Sequence, residues 1–109
     1  EGYTPGMYCC GTCSVAFWRN LAVGGLEDSE RRLKAGMKAL RSYRDGNGEW
    51  RRFPFYYTLL ALSEIELPSA KEEMRYAAPV LDRVLRRRPR KGTIAQRRRA
   101  LAERILEKC

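Results

Sequence analysis

The side chains best suited to chemistry are four cysteines, three of which stand together near the start of the sequence. Cys10 and Cys13 have the spacing of a redox pair, and a helix N-terminus at this point would favour the reactive thiolate. Such pairs normally precede a helix in a strand-helix-strand context, whereas this chain predicts no strand. A zinc site would need Cys109 to return to the first helix and the adjacent Cys9 and Cys10 to bind one ion. Cys10 and Cys13 are therefore a candidate redox pair, with small core residues as the ordinary alternative; we expect no metal and no cofactor.

The sequence offers few other candidate catalytic residues. The chain contains no histidine, so it cannot assemble a Ser-His-Asp or Cys-His nucleophile. Two carboxylate pairs, Glu64 with Glu66 and Glu72 with Glu73, fall at predicted helix ends or on outer faces. Solvation and the helix dipole explain carboxylates in such places. We identify no catalytic residues and lean against an enzyme.

The positive charge is concentrated in the last quarter of the chain. The formal net charge is +9, yet residues 1–82 hold 11 Lys/Arg against 11 Asp/Glu, while residues 83–109 hold 11 against 2. Clustered arginines can bind phosphates, which indicates a surface for a nucleic acid or an acidic partner. The clusters are residues 86–91 and the consecutive arginines Arg97, Arg98 and Arg99.

A plainer interpretation applies to the first basic cluster. Cations stabilise the C-terminal end of a helix, which explains residues 86–88 without any ligand. Arginines in the middle of a helix gain little from the dipole, so Arg97, Arg98 and Arg99 are the candidate residues for an anionic partner. No aromatic residue interrupts the basic run, which disfavours nucleic acid.

Apolar periodicity predicts an all-α protein of about five helices in alternating inner and outer hairpins. Apolar stripes in residues 29–43 and 69–88 repeat at an offset of 41, and each follows a segment that is apolar on every side. We interpret residues 1–109 as one helical-repeat domain, a partial α/α toroid or a short repeat array. It would begin with an extended segment, residues 1–10, and end in a basic capping helix within residues 89–109. The predicted helices span residues 11–24, 29–43, 54–66, 69–88 and 93–107.

Local sequence signals accompany these boundaries. Ser69 followed by Glu72 predicts a capping box, and so does Thr93 followed by Gln96. Pro79 lies inside the fourth predicted helix, where it should kink or split the helix because it removes a backbone hydrogen bond.

The loop between the second and third predicted helices is the most distinctive local feature. Residues 45–48 read Asp-Gly-Asn-Gly, which is turn chemistry, and Trp50 follows almost directly. Residues 36–40, this turn and residues 55–62 resemble the repeat of terpene cyclases and protein prenyltransferase β subunits, the α/α toroid family. The resemblance covers about residues 9–85.

The resemblance implies that an outer helix leads through a Gly-x-Trp turn into an inner helix, with Trp50 packed on a neighbouring helix end. Residues 10–16 likewise resemble the opening of an inner helix in the prenyltransferase branch. Where the cyclase repeat has glutamine, this chain has Arg44 or a close neighbour. The Asp-rich acid motif of the cyclases is absent, and the prenyltransferase zinc ligands, Asp, Cys and His, cannot be assembled without histidine. The resemblance therefore supports the fold and not the family's chemistry.

These observations favour a non-catalytic helical-repeat protein that binds another macromolecule or itself. A partial ring of inner helices leaves apolar surface that one chain cannot bury, so we expect a homo-oligomer. The alternatives are an anionic partner on the basic helix, or a cyclase-like small-molecule pocket lined by Trp18, Tyr56 and Tyr57, whose ordinary role would be core packing. No run of about 18 uncharged apolar residues and no signal-peptide pattern is present, so we expect a cytoplasmic protein without a membrane span.

Overall fold

The computed structural model describes residues 10–24, 28–88 and 91–109, and confirms the all-α prediction within them. Each helix boundary lies within two residues of its predicted position. Most of the predicted extended segment, residues 1–10, lies outside the described residues. None of the helices in the described part combines the length and apolarity that a membrane span requires. The helices are α1 (Gly11–Val23), α2 (Ser29–Ser42), α3 (Phe55–Glu64), α4 (Pro68–Arg86) and α5 (Thr93–Lys108).

The two apolar helices α1 and α3 pack against each other, and each also contacts the amphipathic helix that follows it. Helices α2 and α4 contact each other as well, and α5 packs across α3 and α4. All five helices contribute to one continuous core. The only large apolar side chains strongly exposed among the described residues are Val23 and Ile94. Oligomer formation through the inner helices stays a prediction.

The α1–α2 contact depends on a glycine. Trp18 is completely buried, and its indole lies directly against Gly36 of α2, where even a Cβ would collide with the ring. The Phe53 ring also stacks on the Trp18 indole, at a centroid distance of 5.7 Å. A side chain at position 36 would therefore force the two helices apart.

The turn between α2 and α3 is closed by its own backbone. The N–H of Arg51 donates to the carbonyl of Tyr43 at 2.7 Å, and the N–H of Asp45 donates to the carbonyl of Glu49 at 3.0 Å. Gly48 has a φ of 88° and lies against Val80 of α4, so this position needs glycine both for its conformation and for space.

A buried carboxylate of α4 joins this turn to the rest of the fold. Glu73 is 1% exposed, and its two oxygens accept hydrogen bonds from Arg44 Nε at 3.1 Å and Nη2 at 2.5 Å. Trp50, itself 3% exposed, donates its indole N–H to the same carboxylate at 3.0 Å. The hydrogen bonds to Glu73 raise the pKa of the Arg44 guanidinium above its ordinary value. The burial predicted for Trp50 is confirmed.

Several local expectations were wrong. Glu73 does not lie on a solvated outer face, because the turn folds back over this side of α4. Neither predicted capping box forms: α4 begins one residue early at Pro68, and Gly92 occupies the N-cap of α5 without a side-chain hydrogen bond. Helix α4 continues through Pro79, so it does not split there, and a kink at this position stays a prediction.

Replacing Trp50 with Ala should lower the free energy of unfolding by about 3 to 5 kcal/mol, because it removes a buried ring and leaves Glu73 without one donor. Trp50→Phe keeps most of the ring and should cost less, about 1 to 3 kcal/mol for the lost indole donor. Denaturant titration followed by circular dichroism measures both. Val23→Ala, at an exposed apolar position, is the control and should change the free energy by less than about 0.5 kcal/mol. A Trp50→Ala loss below about 1 kcal/mol would contradict this role.

The charge of Asp45 should make the turn sensitive to acid. Backbone N–H donation from Asn47, assisted by the N–H of Glu49, holds the pKa of Asp45 below its ordinary value. A carboxyl whose pKa is lower in the folded state stabilises the fold above the unfolded pKa of about 4, and this stabilisation is lost as the pH falls through the folded pKa.

We therefore expect Asp45→Asn, which keeps an oxygen acceptor but not the charge, to lower the melting temperature at neutral pH. The difference from the parent protein should shrink below about pH 4 and vanish once Asp45 is protonated. Thermal unfolding at a series of pH values measures it, with the exposed Asp82→Asn as control. A difference that is independent of pH would show that the charge is not responsible.

Candidate anion-binding cleft

A cleft of about 800 Å³ lies between the end of α4 and the start of α5. Val84 and Tyr56 contribute from α4 and α3, and the first turn of α5 contributes residues 93–96. The remaining lining side chains are almost all cationic, and no carboxylate is among them. The cationic lining residues are Arg87, Arg88, Lys91, Arg98 and Arg99.

Four of these cations have no acidic partner in the described ranges. Arg87, Arg88, Lys91 and Arg98 take part in none of the ion pairs there, whereas the nearby Arg86 is neutralised by Asp82 at 3.0 Å. Like charges gathered without counter-ions in one concave surface create a positive potential that attracts anions. The cleft is therefore an electropositive concavity.

Tyr56 supplies an aromatic face inside this basic environment. Its ring is half-buried, and the guanidinium carbon of Arg98 lies 4.7 Å from the ring centroid. The neighbouring Phe55 ring meets Tyr56 edge to face at 5.2 Å, which fixes the orientation of the phenol ring. An arginine stacked on a tyrosine presents two flat surfaces on which a planar ligand can stack.

The start of α5 opens into the same cleft. Gly92, at a φ of 122°, provides the N-cap residue, and neither a capping side chain nor an acidic residue occupies the first turn. The first N–H groups of a helix have no partner within the helix and carry its positive dipole end. In this cleft they add hydrogen-bond donors to the surrounding cations.

The three candidate arginines of α5 have different environments. Arg98 and Arg99 line the cleft, whereas Arg97 is exposed and does not. Arg99 donates from Nη2 to the carbonyl of Leu85 at 3.0 Å and pairs with Glu103 at 3.9 Å. Arg99 thus caps the end of α4, which leaves Arg98 as the member of the trio most available to a ligand.

The aromatic residues proposed as a shared pocket are separated. Trp18 is buried in the core, Tyr56 lines the basic cleft, and Tyr57 lines a smaller cavity of about 420 Å³ beside α1. Successive residues of a helix point about 100° apart, so Tyr56 and Tyr57 point away from α3 in different directions and reach different cavities. In the smaller cavity, Glu64 neutralises Arg19 through bonds of 2.7 and 3.0 Å.

The candidate redox residues lie at the start of α1. Cys10 is its N-cap and Cys13 lies in its first turn, while Cys109 follows the end of α5. Cys9 lies outside the described residues. Within the part of the chain that the structure describes, no three potential metal ligands lie together.

The sequence missed the aromatic component of the cleft. Charge asymmetry along the chain indicates where the cations lie, but Tyr56 and Arg98 belong to different helices and meet only through the packing of α5 on α3. Comparison with protein-family models, with curated proteins and with solved structures gave no match. The functional argument therefore depends on the geometry of the cleft.

Proposed function

We propose that this protein is a non-catalytic nucleic-acid-binding protein, and that the cleft between α4 and α5 holds a single-stranded segment. The observation that supports this most is that Arg87, Arg88, Lys91 and Arg98 line one cleft together with Tyr56, whose ring Arg98 overlies. Cations bind the phosphate backbone, and an aromatic ring accepts a base by stacking.

The arrangement suits a single strand better than a duplex. Tyr56 is half-buried inside a concave surface, and a base that is still paired and stacked in a duplex could not reach it. A base from a single strand can enter the cleft and stack on Tyr56 or Arg98 while its flanking phosphates meet Arg87 and Lys91. The N–H groups at the start of α5 offer a further phosphate contact.

The choice of nucleic acid over an acidic protein also rests on residue type. Three of the four unpaired cations are arginines, whose planar guanidinium groups bind phosphates in a bidentate manner and stack on bases. An acidic peptide would use the charge without requiring the Tyr56 ring. The loss of affinity on replacing Tyr56 therefore distinguishes a nucleic acid from an acidic peptide as the partner.

The first test compares two variants that lose the same charge. The cleft variant carries Arg87→Gln, Lys91→Gln and Arg98→Gln. The control variant carries Gln at three exposed arginines outside the cleft lining, Arg83, Arg97 and Arg104. Fluorescence anisotropy with a labelled single-stranded RNA or DNA oligonucleotide, at several salt concentrations, gives the affinity and its salt dependence.

We expect the cleft variant to reduce the log-log salt slope by about 2, because each phosphate contact to a single strand contributes about 0.7. The control variant should keep most of the parental slope, and Tyr56→Leu should weaken binding about 5- to 100-fold through the lost stacking. Equal losses in the two triple variants would indicate non-specific attraction by net charge. Absence of binding to RNA and DNA at low salt would overturn the proposal.

A further inference from the structure

The start of α1 holds two cysteine side chains within one helical turn. Cys10 has the extended backbone of an N-cap residue, with φ −157° and ψ 176°, and its carbonyl accepts the first helical bond from Ser14 at 2.8 Å. The Sγ atom of Cys10 in turn accepts the N–H of Cys13 at 3.3 Å. The Cys10 sulfur therefore lies within hydrogen-bond distance of the backbone of Cys13.

The spacing permits a covalent bond between the two sulfurs. Residues three apart in an α-helical turn have Cα atoms about 5 Å apart. Disulfides span Cα separations of about 4.4 to 6.8 Å. Cys10 and Cys13 can thus be joined without unwinding the first turn of α1.

The two cysteines differ in their exposure. Cys10 is exposed, whereas Cys13 is half-buried. A thiolate at Cys10 would accept the Cys13 N–H and lie at the positive end of the helix dipole, and no acidic residue occupies the first turn of α1. Cys10 is therefore the better placed to attack a disulfide in solution, and Cys13 to displace whatever becomes attached to Cys10.

Gly11, one of the two residues between the cysteines, makes a close packing contact. The backbone carbonyl of Arg52 lies so near Gly11 that a Cβ there could not be accommodated. Arg52 is the only non-glycine residue with positive φ in the described part of the chain, at 66°. The start of α1 is thus covered by the backbone of this segment, while the Arg51 guanidinium donates to the carbonyl of Ser42 at the end of α2 at 3.3 Å.

We propose that Cys10 and Cys13 form a thiol-disulfide exchange site that reacts with low-molecular-weight disulfides such as glutathione disulfide. The Cys10 thiolate attacks one sulfur of the small disulfide, forms a mixed disulfide and releases one small thiolate. The Cys13 thiolate then attacks Cys10 Sγ, closes the internal disulfide and releases the second small thiolate. The small disulfide is reduced to two thiols, which take up the two cysteine protons, and the cysteine pair is oxidised.

The decisive experiment keeps only the two cysteines of the pair. In a protein with Cys9→Ser and Cys109→Ser, reaction with glutathione disulfide followed by mass spectrometry should yield the internal disulfide without a persistent adduct. Adding Cys13→Ser should trap one glutathionyl group on Cys10. Adding Cys10→Ser instead should slow adduct formation by about tenfold or more, because the attacking thiol is missing.

Two controls separate this site from ordinary cysteine reactivity. In urea the difference between the Cys10→Ser and Cys13→Ser forms should disappear, because it depends on the folded helix. In the unmodified protein, iodoacetamide should label Cys10 faster than Cys109, since burial raises the pKa of the Cys109 thiol. Equal reactivity of the two single-cysteine forms, or a mixed disulfide that never closes, would overturn the proposal. Circular dichroism of each variant verifies that α1 is retained.

Discussion

The fold depends on the need to satisfy one buried carboxylate. Glu73 lies inside α4 with almost no solvent contact, and a carboxylate in that position is tolerated only if donors surround it. Arg44 and Trp50 provide those donors from the two ends of the α2–α3 turn. Removing one partner of such a pair typically costs about 3 to 5 kcal/mol, so this single group holds the turn against α4.

The same face of α4 fixes the rest of the turn. One helical turn after Glu73, the Tyr76 hydroxyl donates to the carbonyl of Glu49 at 2.8 Å and accepts the N–H of Gly46 at 3.0 Å. One turn further along, Val80 fills the space left by Gly48. The turn leads directly into α3, which carries Tyr56, while the cations of the cleft follow the end of α4 or lie on α5. Glu73 and its neighbours thereby set the relative positions of α3 and α4, which contribute Tyr56 and Val84 to the cleft.

The sequence predicts the helices well and their polar contacts poorly. The period of the apolar residues gives α1 to α5 nearly to the residue, because an amphipathic helix must bury one stripe. Trp50 is predicted correctly because turn glycines precede it and an apolar helix follows. Glu73 has the same local signature as a solvated glutamate. Its partner Arg44 is 29 positions away in the sequence. Only tertiary packing therefore shows that Glu73, and not the adjacent Glu72, is buried. The cleft is likewise predictable only in part. Its cations are close together in the sequence and can be found there, whereas Tyr56 and Arg98 are far apart in the sequence and their contact cannot.

The basic side chains of this molecule therefore occur in two kinds of environment. Arg19, Arg44 and Arg99 hold helices and turns together through carboxylates and a helix carbonyl, while Arg87, Arg88, Lys91 and Arg98 in the cleft have no acidic partner among the described residues and are the cations that we propose for a ligand. The most direct test is a nuclear magnetic resonance titration of the isotopically labelled protein with a single-stranded oligonucleotide. The backbone signals of residues 92–96 and the side-chain signals of Tyr56 and Arg98 should move together, with those of the α2–α3 turn unchanged. Movement confined to other surfaces, or none at low salt, would contradict the assignment of the cleft as the nucleic-acid site.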